Sequence, residues 1–318
     1  MLIRLLPALL TIGVLFVNGW TDAPNAIATA VATKALSYRR AVLLAAVCNL
    51  AGCLAASAWS GAVASTIFDL ADFGGNPAIA LPALCAAMAS IILWATLAWR
   101  FGLPTSESHA LLAGLSGAAV ALQGDWSCLR WTPWSKALMG LVFSLAAGFF
   151  LSRVLCRLLP KYGLPFRSLQ IAGAGLMAFA HGAQDGQKFL GILLLVAAYS
   201  GGAAPSAFFL TVLCALMMAL GTAAGGRRIV ETIGEHLVPL TPRAGFAADL
   251  SGGVCLVIFT LLGAPVSTTH TKAAAILGAG LSEGRANRST VLSLFSAWLL
   301  TFPICFGLSY GLSRLFLS

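Results

Sequence analysis

Four short polar clusters interrupt an otherwise apolar chain, and they come in two pairs. Asn18-Gly19-Trp20-Thr21-Asp22-Ala23-Pro24-Asn25 sets a carboxylate among amide and hydroxyl groups. His181-Gly182-Ala183-Gln184-Asp185-Gly186-Gln187-Lys188 begins 163 positions after Asn18 and repeats the skeleton polar-Gly-x-polar-Asp-x-x-polar. Pro104-Thr105-Ser106-Glu107-Ser108-His109 and Pro265-Val266-Ser267-Thr268-Thr269-His270 share Pro-x-Ser-x-(Ser/Thr)-His at an offset of 161. Two matches in the same order at nearly the same offset identify an internal duplication.

The two motif types suit opposite charges. The carboxylates of Asp22 and Asp185, helped by the amide oxygens of Asn18, Asn25 and Gln184, suit a small cation such as sodium. Gly19, Gly182 and Pro24 predict an unwound backbone that frees carbonyls for the same ion. A proline followed by Ser/Thr starts a helix, and helix N-termini attract anions. Ser106 and Ser108 in one half, with Ser267, Thr268 and Thr269 in the other, therefore predict a pocket of hydroxyl and amide donors for a tetrahedral oxyanion. Lys188 follows Asp185 by three residues and shares its helix face, free to pair it or to touch the anion. Glu107, His109, His181 and His270 are candidate proton carriers. The plain alternatives are hydroxyls bonded to their own helix backbone and neutral histidines held in helix breaks.

Apolar segments carry these motifs, near residues 5–32, 41–64, 79–99, 108–122 and 137–152, then 171–198, 206–224, 247–263, 269–281 and 291–312. The longer ones match the roughly 17–25 residues that cross a hydrocarbon core. With 59% hydrophobic and 9% charged residues, the chain cannot cover its surface as a water-soluble protein, and long apolar runs argue against a β-barrel. The fold class expected is an all-α polytopic membrane protein of about ten segments, in two repeats over residues 1–160 and 161–318, with broken helices or re-entrant hairpins. The sequence leaves open whether 104–122 and 265–281 span or re-enter. An odd number of crossings per repeat gives the second repeat the opposite topology, a layout common in secondary transporters.

The net charge of +9 reads as topology rather than as a nucleic-acid surface. With the N-terminus outside, the inner loops hold Lys34, Arg39, Arg40, Arg100, Arg153, Arg157, Lys161, Arg167, Arg227, Arg228, Arg243, Arg285 and Arg288. The outer side holds Arg4, Arg130, Lys136 and Arg314. Thirteen basic residues against four predict a multi-pass inner-membrane protein with both termini extracytoplasmic. The eight cysteines contain no C-x-x-C pair and read as small core residues. Residues 1–16 read as the start of a retained first span rather than a signal peptide.

The four motifs, in order over about residues 8–312, resemble the inorganic phosphate transporter (PiT) family of sodium- or proton-coupled phosphate permeases. The resemblance implies a symporter working by alternating access, with no catalytic residue and no cofactor beyond the coupling ion. Its partners would be inorganic phosphate and membrane lipid, with dimers common. It implies that Asp22, Asn25, Asp185 and Lys188 line a central site, where Thr21 and Gln184 are further candidate substrate contacts of this chain, and that Ser106, Ser108, Ser267, Thr268 and Thr269 hold phosphate from hairpin tips. Asn18, Asp22, Glu107, His109, Asp185 and His270 are the coupling-ion candidates, with sodium placed at Asp22 and Asp185. The chain departs from the family at Trp20-Thr21, where Ala-Asn is usual, at Gln184, where Asn is usual, and at Glu107, which replaces a neutral residue. These departures leave the coupling ion open, and a sulfate or other oxyanion permease remains the alternative. An intramembrane Ser–His–Asp hydrolase is the rival from another class, but such an enzyme needs one nucleophile and one base rather than mirrored sets. Residues 153–170 form only a short linker, as in bacterial forms.

Overall fold

The computed structural model describes residues 2–201, 205–284 and 286–317; Arg285 lies outside them, and the side chain of Arg4 is likewise not described. The described residues are helical, with no strand beyond one isolated bridge between Ala71 and Leu129. Helix α1 (Leu2–Thr21) runs through a 3-10 turn (Ala23–Ile27) into α2 (Ala28–Ala32), and then come α3 (Tyr38–Trp59) and the short α4 (Ala62–Phe68). The first repeat ends with α5 (Pro77–Arg100), α6 (Glu107–Gln123) and α7 (Trp131–Leu158). The second runs α8 (Phe166–Ser200), α9 (Ala207–Ala224), the short α10 (Arg227–Gly234), α11 (Pro242–Leu261), α12 (Thr268–Gly280) and α13 (Arg288–Leu317).

Among the described residues, seven stretches are long and apolar enough to cross a membrane: Leu5–Ala32, Tyr38–Trp59, Pro77–Arg100, Trp131–Leu158, Ala207–Ala224, Pro242–Leu261 and Arg288–Phe316. Their outward faces carry large apolar side chains, among them Leu43, Val47, Phe143, Phe150 and Leu299, as contact with lipid tails requires. The other three expected segments differ for identifiable reasons. Helix α8 has 35 residues, about 52 Å at 1.5 Å per residue, and its middle holds the polar second motif. Helices α6 and α12 have 17 and 13 residues, roughly 26 and 20 Å, shorter than a hydrocarbon core of about 30 Å. Residues 101–106 and 262–267 lead into them as non-helical chain. Segments 104–122 and 265–281 are thus each a non-helical approach followed by a short helix.

The repeats interlock. Helix α1 packs on α9 of the other repeat, and its counterpart α8 packs on α3. The α5–α6 hairpin is clamped by α13, the α11–α12 hairpin by α7. The short helices are exchanged too: α4 lies on α8, and α10 on α2 and the 3-10 turn. The two halves of the chain are therefore not independently packed bodies.

The glycines of the motifs make this packing possible, which corrects the expectation that they unwind the backbone. A Cβ on Gly19 would sit 2.2 Å from the Met218 carbonyl oxygen, and one on Gly182 2.1 Å from that of Asn49. Facing them, a Cβ on Gly221 would meet the Phe16 oxygen at 2.1 Å and one on Gly52 the Phe179 oxygen at 1.9 Å. Helix α8 runs unbroken through His181–Lys188. Only the first motif breaks: Asp22 stands at the N-cap position of the 3-10 turn without a side-chain capping bond, and Pro24 lies in its first positions, where a missing N–H costs nothing.

Candidate functional site

The structure brings both aspartates and both hairpin tips together. Ser106 caps α6 by accepting from the His109 N–H, and Ser267 caps α12 by accepting from the His270 N–H, each at 3.2 Å. The capping hydroxyls touch across the repeat boundary, Ser106 Oγ donating to Ser267 Oγ at 2.8 Å.

The first aspartate lies under the second tip. Asp22 Oδ1 accepts from Asn25 Nδ2 at 2.8 Å and from the Thr269 hydroxyl, while Oδ2 accepts from Thr268 Oγ1 at 3.2 Å. Asn25 Nδ2 also reaches Thr269 Oγ1 at 3.0 Å. The second aspartate lies under the first tip. Asp185 Oδ1 accepts from Lys188 Nζ at 2.7 Å, and Oδ2 from Asn18 Nδ2 at 2.9 Å. Lys188 Nζ also donates to Ser108 Oγ at 2.5 Å and to the Val266 carbonyl at 2.6 Å. That carbonyl belongs to the chain approaching the second tip, so one ammonium group ties α8 to both hairpins. Asp22 and Asp185 are 2% and 1% exposed.

Two predicted residues take other partners. Gln184 donates to the Ala264 carbonyl at 2.7 Å and accepts from Thr260 Oγ1 at 2.6 Å, so it anchors α8 to the second hairpin. Thr21 donates to Glu107 and to the Val17 carbonyl, which brings Glu107, buried, to the rim of the aspartate group. His109 and His270 are not drawn in. Their rings meet at 4.5 Å, His270 lies against Trp298 at 3.8 Å, and both line a cavity of about 320 Å³ walled by Trp134, Leu141 and Phe302.

Acceptors are in excess around Asp22, and this decides what the group can hold. Asn18 Oδ1, Asn25 Oδ1 and Glu107 Oε2 are buried without a hydrogen-bond partner among the described residues. Asn49 Nδ2 donates to Thr222, so its oxygen accepts from His181 Nδ1 at 2.9 Å. His181 Nε2 lies 3.6 Å from Asp185 Oδ2. Ligand atoms of Asp22, His181 and Asp185 lie within 4.8 Å of one another. Lone pairs facing one another at low dielectric call for a proton or a metal cation between them. The residues fit a cation.

Sequence reasoning missed a neighbouring cluster. Asp249, Lys272 and Thr29 form a buried hydrogen-bonded group beyond Asn25. Lone charges inside apolar segments 247–263 and 269–281 were the signal, but neither belongs to a mirrored motif.

A helical chain that crosses a membrane many times and closes a charged, hydroxyl-lined cluster around its middle is a transport protein rather than an enzyme. The model of the "Phosphate transporter family" matches twice, over residues 18–166 and 159–309, and the chain belongs to that family. It is 34% identical over 303 residues, covering 91% of this chain and 90% of the relative, to a "Probable low-affinity inorganic phosphate transporter" of Bacillus subtilis. It is 35% identical over 309 residues to a protein of the same name from Rhizobium meliloti, covering 91% and 89%. Its fold matches a solved structure titled "The sodium-dependent phosphate transporter" with a TM-score of 0.87, 21% identity and 99% of each chain covered.

Proposed function

We propose that the protein is a symporter of inorganic phosphate, driven by a cation and working by alternating access in the inner membrane with both termini outside. The observation that carries this reading is the meeting of the two capped tips above a pair of aspartates with surplus acceptors. Ser106, Ser108, Ser267, Thr268, Thr269 and the Lys188 ammonium supply donors for a phosphate. Asp22, Asp185, Asn18 and Asn25 supply oxygens for a sodium ion. A bound cation offsets the cost of bringing an anion into low dielectric, so the two ligands bind together.

Reciprocal packing of the repeats supports an inverted-repeat design. It also changes what can move: since each hairpin is clamped by a helix of the other repeat, the moving bodies are hairpin-plus-clamp units, α5–α6–α13 and α11–α12–α7, against the central α1, α3, α8 and α9.

A second reading of the coupling ion follows from Glu107 and His181. A buried carboxylate with one oxygen unpartnered among the described residues and a buried imidazole whose Nε2 has no hydrogen-bond partner there both suit a proton. Sulfate is the competing substrate, and uptake of labelled phosphate into proteoliposomes with unlabelled sulfate as competitor separates the two. Uptake that excess sulfate leaves unchanged supports phosphate. Sulfate accumulation without phosphate uptake removes it.

A further inference from the structure

Lys272 and Asp249 pair at 0% exposure each, about one helical turn from the central site. Thr29 Oγ1 donates to Asp249 at 2.7 Å, and Lys272 Nζ lies 3.2 Å from Thr29 Oγ1 and 3.3 Å from the Ala26 carbonyl. This set of groups matches the one around Lys188: a lysine donating to an aspartate, one hydroxyl and one main-chain carbonyl from the chain near the break.

The cluster continues the site rather than standing apart from it. Asp22, Asn25, Thr29 and Thr33 fall at spacings of three, four and four, and so share one face of the broken helix. Thr269 precedes Lys272 by one turn of α12. At the far end Thr33, half-buried, donates to Gln170 Oε1 at 2.7 Å, and beyond it come Lys34 in the turn and Arg39 and Arg40 at the start of α3. A polar lane therefore runs from the aspartates to the basic face.

The other repeat supplies the control. At an offset of 163, Thr29 and Thr33 correspond to Ile192 and Val196. At 161, Asp249 and Lys272 correspond to Met88 and Leu111. All four counterparts are buried in one apolar cluster. The same architecture thus fills these positions with hydrocarbon on one side of the site. A buried ion pair is often no more stabilising than apolar residues of equal volume, so packing does not account for charges on the other side.

We propose that Thr29, Asp249 and Lys272 form a second oxyanion station. Lys272 exchanges Asp249 for phosphate leaving the central site and releases it past Thr33 to the basic face. The proposal rests on the central-site reading above, but its experiment separates the two. The variant is Asp249→Met with Lys272→Leu, the residues of the mirror positions, and Asp22→Asn is the reference. Phosphate binding to detergent-solubilised protein and uptake into proteoliposomes are both measured.

Asp22→Asn is expected to lose binding and uptake together. The apolar double variant is expected to keep phosphate bound at the central site with an affinity within about twofold of the original protein, having lost only the second station, and to lose at least about tenfold in uptake rate, since the anion then meets hydrocarbon at depth. Original-level uptake by the double variant overturns the proposal, and so does loss of its phosphate binding at the central site. Absence of phosphate binding by the unaltered protein overturns the central-site reading instead, and the station with it. If the double variant does not fold, Asp249→Asn with Lys272→Gln keeps shape and hydrogen bonding while removing both charges, and the same two readouts decide.

Discussion

Ser106 and Ser267 occupy equivalent places in two repeats 161 residues apart, and their hydroxyls meet at 2.8 Å. Each also caps its own short helix, so the contact joins two helix N-termini over the aspartates. Ser267→Ala removes a cap and the contact at once. Loss of a serine cap costs about 1 kcal/mol. The expected result is a modest fall in thermal stability with a larger loss in phosphate affinity, read by melting and by binding on the same sample. An equal fall for a cap elsewhere, such as Ser206→Ala on α9, with unchanged phosphate affinity for Ser267→Ala, would show that the tip serine is structural only.

Lys188 has three acceptors: Asp185, Ser108 and the Val266 carbonyl. Truncating one partner of a buried pair leaves the other charge uncompensated, at roughly 3–5 kcal/mol. Lys188→Met is expected to destabilise the protein strongly, and Lys188→Met with Asp185→Asn to recover most of the stability but not transport. Melting curves of single and double variants check the first claim, and uptake checks the second.

Gly182 and Gly307 make opposite demands. A Cβ on Gly182 meets backbone at 2.1 Å, whereas one on Gly307 meets nothing within 4 Å. Overpacking costs about 1–3 kcal/mol even where side chains can shift, and backbone cannot shift as easily. Gly182→Ala is expected to lower the yield and melting temperature of folded protein, and Gly307→Ala to leave both unchanged. Parallel expression and melting measurements settle it.

These glycines also show where sequence reading stops. The mirrored carboxylates and Pro-x-Ser tips were legible because polar groups inside apolar segments stand out, and because they recur in order. Lys188 facing Asp185 followed from helical spacing. Gly182 beside a polar run reads equally as a hinge or as a close-packing surface, and only the position of Asn49 on α3 decides for packing. The place of His109 and His270, away from the aspartates and against Trp298, depends on how α13 clamps the tips, which no local pattern records. Asp249 and Lys272 were missed because their partner, Thr29, is more than 200 residues away in sequence.

Glu107 separates the coupling-ion readings. It accepts from Thr21 with one oxygen and has no partner on the other. Glu107→Gln preserves shape and removes the titratable group. If a proton drives transport through Glu107, uptake under a proton gradient is lost. If sodium drives it through the aspartates, uptake under a sodium gradient persists within a few fold. Imposing the two gradients separately on this variant distinguishes them.

The most direct measurement is labelled phosphate uptake into proteoliposomes holding the unaltered protein, Asp22→Asn or Asp185→Asn, with sodium and proton gradients imposed one at a time. The expected result is accumulation under one of the two gradients by the unaltered protein, and none by either well-folded variant. Normal gradient-driven uptake by both variants would contradict the paired-aspartate site and the symport built on it.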